Sequence, residues 1–217
     1  GNDVLDLSAS DYESALKNAQ NAVNRGLIRA LMVVGGDGMV HLGVNACANS
    51  PVPLAIIAAG TGNDSATILG LPVTNPEEAV AVALQWLQSP RRVDLIKGSA
   101  ACNPKPESGP DGQPSQREFF SFGAVSAGFD ALVNARANQM KWPKGPIRYQ
   151  VAMVLELLKF RGISYRVNAL DQSMELTAML CAVANISSYG GGMIIAPHAD
   201  FSDGQLDLFI VHKIPRV

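Results

Sequence analysis

One feature constrains this chain more than any other: an apolar run that ends in a glycine cluster carrying a single carboxylate, Val33-Val34-Gly35-Gly36-Asp37-Gly38-Met39-Val40-His41. A second such turn, Ala59-Gly60-Thr61-Gly62-Asn63-Asp64, follows another apolar run. Glycine reaches positive φ and lets the backbone come close to a neighbour or a ligand. Two glycine turns at the ends of neighbouring strands make a cradle of N–H groups, which suits phosphate oxygens. Neither turn fits the commonest phosphate signatures. A Walker A loop ends in Gly-Lys-Ser/Thr because its lysine reaches the terminal phosphates, and no lysine stands near Gly35–Gly38. A dinucleotide fingerprint needs three glycines and an acid about 20 residues on, at the end of a strand. The second turn has two glycines, and Glu77 and Glu78 open a helix.

Residues 38–63 contain no Asp, Glu, Lys or Arg. A membrane span is excluded there, because His41, Asn45, Asn49, Pro51 and Pro53 break the stretch well short of the roughly 20 apolar residues a span needs. A buried strand–helix–strand unit accounts for it. The 217 residues are 47% hydrophobic and carry a net charge of −2, so the average surface is not a nucleic-acid footprint and no nucleic-acid partner is expected. The average hides an asymmetry. Residues 1–93 hold five basic and eight acidic side chains. Residues 136–166 hold seven basic groups (Arg136, Lys141, Lys144, Arg148, Lys159, Arg161, Arg166) against one acid, Glu156. Trp142 lies among them, and an interfacial tryptophan beside basic residues suits anionic headgroups. Cys47, Cys102 and Cys181 lack metal-type spacing and are expected as free thiols of a reducing compartment. His41, His198 and His212 are too scattered to form a metal set. The chain opens on Gly1 rather than Met, and no signal peptide is expected.

The expected elements alternate. Ser10-Asp11-Tyr12-Glu13 reads as a capping box with Ser10 as the cap, and Gly26 as the stop of the helix that follows. Strands are expected at 28–34 and 54–58 around a helix at 39–49, which implies a parallel sheet. Asn75-Pro76-Glu77-Glu78 opens a helix that stops by Pro90, and a strand is expected at 91–96. Residues 98–117, rich in Gly, Pro, Ser and Gln, read as a mobile loop. Beyond it, strands are expected at 118–125, 163–169, 174–186 and 205–211, with helices at 129–141 and 146–160. The fold class is therefore α/β followed by β. An α/β nucleotide-binding domain with a parallel sheet spans 1–92, and a β-rich domain with a helical insert spans 93–217.

Gly35-Gly36-Asp37-Gly38, followed about twenty residues later by Gly60-Thr61-Gly62-Asn63-Asp64, resembles the diacylglycerol kinase catalytic domain, whose superfamily includes sphingosine and ceramide kinases and NAD kinases. Phe122-Gly123-Ala124-Val125-Ser126-Ala127-Gly128-Phe129-Asp130-Ala131 is similar to a strand-to-helix segment of that family. Asn185-Ile186-Ser187-Ser188-Tyr189-Gly190-Gly191-Gly192-Met193 and the run Ala196 to Asp207 resemble its later blocks. The matches occur in order from about residue 30 to 211. The resemblance implies that the β-rich domain is a β-sandwich, and that the chain is an ATP-dependent kinase of a lipid hydroxyl. Diacylglycerol is the leading acceptor, and a sphingoid lipid, NAD, or nucleotide binding without turnover are the alternatives.

The resemblance also implies a site. Gly35, Gly36, Asp37, Gly38, Met39, Val40, His41 and Thr61 correspond to ATP contacts. The Asp203 carboxylate with the carbonyls of Asp200 and Gln205 corresponds to a magnesium site, and an Asp-Gly turn with hard oxygens suits that ion. Asp37 is expected to act in catalysis through metal-bound water. Met39 stands where the family usually has threonine, and so lacks the hydroxyl. The family's first strand and its presumed general base are expected outside this chain, the latter beyond Val217. A cytoplasmic, peripherally membrane-associated homo-oligomer that meets its lipid at the inner face of the membrane completes the expectation.

Overall fold

The computed structural model describes residues 3–101, 116–143, 147–169, 172–190 and 192–212. They form two compact units: Gly1–Gly123 with Asn185–Gln205, and Ala124–Ala184 with Leu206–Val217. This grouping runs through the chain differently from a division at 92/93, because residues 93–123 and 185–205 side with the first unit.

In the first unit, helix α1 (Tyr12–Asn24) is capped by Asp11, not Ser10. The Asp11 carboxylate accepts from the Ser14 N–H at 2.9 Å and from its hydroxyl at 2.8 Å. A carboxylate at a helix N-terminus is a stronger acceptor than a hydroxyl and also meets the positive dipole end. Glu13, expected to reach back to the cap, instead pairs with Arg117 at 3.1 Å. At the other end Gly26, at φ +65°, closes a Schellman turn, with Leu27 N–H donating to the Ala22 carbonyl at 2.9 Å.

Strand β1 (Leu31–Gly35) and strand β2 (Leu54–Ala58) pair in parallel, Leu31 opposite Leu54 and Gly35 opposite Ala58, around helix α2 (Asp37–Cys47). Leu31, Val33, Ile56 and Ala58 face a core shared with Leu16 and Ala19 of α1 and Val40 and Val44 of α2. Gly43 permits the close approach of α2, since a Cβ there would lie 2.6 Å from Leu54 and 3.1 Å from Val33. After the short helix α3 (Asp64–Ile68), helix α4 (Pro76–Trp86) covers the other face of β2, with Ala79 and Ala83 on Ala55 and Ile57. Its opening follows the sequence: the Asn75 side chain accepts from Glu77 and Glu78 N–H groups, and Pro76 occupies the first turn. On β1, Met32 and Val34 are exposed, so a strand expected to be buried throughout is buried on one face only.

Strands β3 (Ile96–Ala101) and β4 (Gln116–Ser121) form an antiparallel pair. The strand expected at 91–96 is thus displaced, and the expected loop at 98–117 starts and ends as strand; its centre, 102–115, lies outside the described residues. Gly98 faces Phe119 across the pair, and a Cβ there would run into the ring. Asn45 of α2 clamps β4 from below, accepting from Phe120 N–H at 2.9 Å and donating to its carbonyl at 2.8 Å.

The second unit contains strand β5 (Ala124–Gly128), helices α5 (Phe129–Gln139) and α6 (Ile147–Lys159), and strands β6 (Ile163–Ala169) and β7 (Gln172–Ala184). The chain then returns to the first unit for the short pair β8 (Ser188–Tyr189) and β9 (Met193–Ile194), before β10 (Asp207–His212) rejoins the second. The long β7 is the spine of an antiparallel sheet. It pairs with β6 over its first half and with β5 and β10 over its second. Ala178, Leu180, Ala182 and Ala184 alternate inward, the period-two signature of a sheet with one buried face. Helices α5 and α6 pack through Val133, Ala137 and Ala152 and share an Arg136–Glu156 ion pair.

Among the described residues no helix is long and apolar enough to cross a membrane. Cys47 and Cys181 are free thiols, and burial pushes the Cys47 thiol up to about 11. Cys102 lies outside the described residues.

Candidate functional site

The two glycine turns lie at the adjacent C-terminal ends of the parallel strands and touch. Gly35 ends β1 at φ +155° and accepts the Ala59 N–H at 2.9 Å. Gly36 caps α2 in extended geometry, so the helix starts at Asp37. A Cβ on Gly36 would lie 3.0 Å from the Gly60 Cα, and one on Gly60 would lie 2.8 Å from the Gly36 nitrogen. Backbone meets backbone there, and only glycine at both positions allows it.

Two side chains lock the arrangement. Asn63 sits in the left-handed region at φ 56°, which asparagine tolerates better than most residues. Its amide closes the second turn on itself, accepting from Gly60 N–H and donating to the Gly60 carbonyl, each at 2.9 Å. Asp37 bridges the turns: its carboxylate accepts the Ser65 N–H at 2.9 Å and the Asp64 N–H at 3.2 Å. Asp64 in turn accepts the Gly192 N–H at 2.8 Å, which brings a third glycine segment to the same place.

The expected contact residues divide by this geometry. Asp37 and Gly38 occupy the first turn of α2, where N–H groups have no intrahelical acceptor and the dipole is positive. The Met39 and Val40 N–H groups both donate to the Gly36 carbonyl, at 2.9 and 3.2 Å. The Met39 side chain folds back over Gly35. Thr61 is exposed at the tip of the second turn. His41 turns along the helix flank, stacking on Tyr12 at 6.4 Å between ring centres and lying 3.4 Å from the Asn45 amide.

Burial, and then the charge of Arg117, hold the His41 imidazole below its ordinary value. A histidine whose folded value is depressed contributes stability in full above its unfolded value near 6.5, and loses it as pH falls through the folded value. The midpoint of urea unfolding is therefore expected to decline between pH 7 and 5 more steeply in the wild type than in His41→Gln. Parallel declines would refute this.

The expected metal residues sit on one turn of the first unit. Asp200 accepts from the Ser202 N–H and hydroxyl, at 2.9 and 2.6 Å. Asp203 N–H approaches the Asp200 carbonyl at 3.4 Å, and Asp203 accepts the Gln205 N–H at 2.9 Å. Among the described residues no group of three His, Cys, Asp or Glu side chains converges as a metal centre. A site here would rest on one carboxylate with main-chain carbonyls. That donor set is all hard oxygen and fits magnesium, which keeps several waters.

Asp94, which belongs to none of the motifs above, anchors this turn. Its N–H donates to the Phe201 carbonyl and its carboxylate accepts the Gly204 N–H, each at 2.7 Å. Asn185, 1% exposed, donates to the Asp94 carbonyl and to that of Phe122, both at 2.9 Å. Its Oδ1 is buried without a hydrogen-bond partner among the described residues. No local signal marks Asp94, because its partners lie about a hundred residues away.

Residues 3–97 match the model of the diacylglycerol kinase catalytic domain, and residues 123–217 match that of the YegS C-terminal NAD kinase beta sandwich-like domain. A protein of Mycobacterium tuberculosis (strain ATCC 25618 / H37Rv) named diacylglycerol kinase is 39% identical over 220 residues, across the whole of this chain and 65% of its own length. A probable lipid kinase YegS-like of Chromohalobacter salexigens is 31% identical over 89% of this chain and 57% of its own length. The chain thus spans less than two thirds of these relatives. The crystal structure of a diacylglycerol kinase from Bacillus anthracis superposes with a TM-score of 0.61 at 22% identity, over 94% of this chain and 60% of that one, and shares its fold.

Proposed function

We propose, for a chain that belongs to the diacylglycerol kinase catalytic domain family, that it serves a lipid kinase that transfers the γ-phosphate of ATP to a lipid hydroxyl, with diacylglycerol as the acceptor. One observation carries the reading. The Gly35–Gly38 and Gly60–Asn63 turns meet backbone to backbone and are locked by Asp37 and Asn63. Such a floor accepts an anionic chain of phosphates without side-chain bulk, and the first turn of α2 presents N–H groups to it. Phosphoryl transfer asks the protein mainly for positioning and charge stabilisation, which preformed N–H groups supply without reorganising.

Asp37 is a positioning residue in this reading. Both its oxygens accept N–H groups of the second loop, so it fixes Thr61 and the α3 entry relative to the first. Asp203, with the Asp200 and Gln205 carbonyls, would hold magnesium, which neutralises phosphate charge when bound. Asp94 and Asn185 keep that turn in place. Diacylglycerol is chosen as acceptor because the 39% identical relative bears that name.

Incubating the full-length protein with γ-labelled ATP, magnesium and mixed micelles of diacylglycerol, sphingosine and a phospholipid tests the proposal. Labelled phosphatidic acid is expected. A labelled sphingoid would correct the acceptor. Bound but unspent ATP would overturn the kinase reading in favour of a nucleotide-binding module.

A further inference from the structure

The hairpin of β8 and β9 stands beside the glycine turns and shows an apolar edge to solvent. Gly192, at φ +88°, donates its N–H to the Asp64 carboxylate at 2.8 Å. Asp64 opens α3, and its own N–H is held by the Asp37 carboxylate at 3.2 Å. Two hydrogen bonds to charged acceptors thus tie the hairpin to the first glycine turn. Its root is fixed as well. Ile195 and Ala196 are buried, and their N–H groups donate to the Ser187 carbonyl at 3.0 and 3.2 Å. Between these anchors Met193 and Ile194 are 55 and 69% exposed. Tyr189 pairs with Met193 and Ser188 with Ile194, so this strand is apolar on both of its faces. The Met193 Cε bends back over the turn, 3.9 Å from where a Gly190 Cβ would stand.

No charged side chain accompanies them. Residues 187–197 contain no Asp, Glu, Lys, Arg or His, and no Lys or Arg stands between Arg29 and Arg91, a stretch that includes both glycine turns. An acceptor that brought phosphates of its own would place them beside the donor's triphosphate, with no cation from either segment to meet them. A neutral alcohol brings no such cost. In a diacylglycerol, the first ester stands on the carbon next to the one that bears the hydroxyl. When that hydroxyl reaches the donor phosphate, at about 3–3.5 Å, the apolar body must therefore lie against whatever flanks the cradle. Scattered apolar side chains on a surface mean little. A charge-free apolar edge fastened to the phosphate floor differs, because it removes hydrocarbon from water at the place the acceptor must occupy.

Resting on the kinase reading above, we propose that Met193 and Ile194 form an acceptor lip, which seats the apolar body of the acceptor and so selects a neutral lipid alcohol over a dinucleotide. The lip acts in binding and not in transfer, since neither side chain carries a group that takes a proton or holds a phosphate. The Asp64–Gly192 bond sets its distance from the second glycine turn. Its contribution falls equally on the bound acceptor and on the transition state, and is therefore read in the acceptor KM rather than in kcat.

Full-length protein carrying methionine labelled at its methyl carbon is titrated with dihexanoylglycerol kept below its micelle concentration, so that no lipid surface contributes, and in parallel with NAD. The Met193 methyl resonance, assigned by its loss in Met193→Leu, is expected to shift with the diacylglycerol and not with NAD. This readout needs neither ATP nor turnover. A shift in a protein that transfers no phosphate would keep the lip as a lipid site and remove the kinase reading alone. In steady-state assays on the same monomeric acceptor, Ile194→Asn is expected to raise the acceptor KM about tenfold. Its kcat and its Kd for magnesium–ATP are expected to stay within about twofold of the wild type, and Ile194→Leu is expected to keep the wild-type KM. An unmoved Met193 methyl, an equal shift with NAD, or an unchanged acceptor KM in Ile194→Asn would each overturn the proposal. So would an Ile194→Asn protein that fails to fold, because that side chain would then be covered by the protein itself.

Discussion

A methyl group at Gly60 is expected to force the two glycine turns apart and to weaken magnesium–ATP binding by roughly a hundredfold, about 2.7 kcal/mol. The Cβ of Gly60→Ala would run into the Gly36 Cα, and would lie 2.8 Å from the Gly36 nitrogen and 2.9 Å from Asn63 Oδ1. No rotamer change relieves a clash with backbone, so the turn itself must move. Its movement breaks the paired bonds of Asn63 and strains the two Asp37 bonds to Asp64 and Ser65. Overpacking of this kind costs about 1–3 kcal/mol of stability. Gly38→Ala separates shape from fold. A Cβ there meets nothing within 4 Å, and it lies in a helix that gains about 0.5–1 kcal/mol from the change. That variant is expected to melt higher than the wild type and still to bind ATP more weakly, because the methyl group crowds the phosphates. Calorimetry and thermal melts on both variants decide. Wild-type affinity in Gly60→Ala would remove the glycine turns from the nucleotide site.

Much of the fold was legible because its signals are local. The uninterrupted apolar run Leu54–Ala58 is β2 at its expected bounds, and Asn75-Pro76-Glu77-Glu78 opens α4 as its chemistry dictates. The cap of α1 was misplaced by one residue because Ser10 and Asp11 are both cap formers, and only the fold decides which oxygen reaches Ser14. The hairpin of β3 and β4 was hidden for a different reason. Its glycine and serine residues signal a loop, and pairing is imposed from outside: Phe119 lies over Gly98, and Asn45, 75 residues away, clamps Phe120.

The site divides along the same line. Glycine turns announce themselves, since no other residue makes the backbone approach of Gly36 to Gly60. The residues that hold them in place do not. Asp37 was visible as a carboxylate in a glycine loop, yet its partners stand 27 and 28 residues on, and nothing in the local sequence says that both its oxygens are engaged. Asp94 reads as one acid in an irregular stretch, and its anchoring of the Asp203 turn exists only in three dimensions.

Replacing Asp37 with asparagine is expected to be the most damaging single change that keeps the side chain's shape. The carboxylate accepts two N–H bonds, one per oxygen. An amide keeps one acceptor and turns an NH2 group toward the other N–H, so one bond is lost and two donors face each other. Bonds to a charged acceptor contribute about 1.5–3 kcal/mol each, and an unsatisfied donor adds its own desolvation cost. A loss of about 2–3 kcal/mol lowers the melting temperature by roughly 4–12 °C in a protein of this size. The effect on turnover is expected to exceed the effect on folding. If the two turns face phosphates, as proposed, they must hold their spacing to within a fraction of an ångström, and misplacement of about 1 Å costs a hundredfold in rate. At a temperature where Asp37→Asn is fully folded, kcat should therefore fall at least about a hundredfold, with a smaller change in the KM for ATP. Asp37→Glu, which keeps the charge but is one methylene longer, should recover stability more than rate. A folded Asp37→Asn enzyme with near wild-type kcat would show that the bridge between the turns supports the fold alone, and would leave the geometry of the glycine cradle to Asn63.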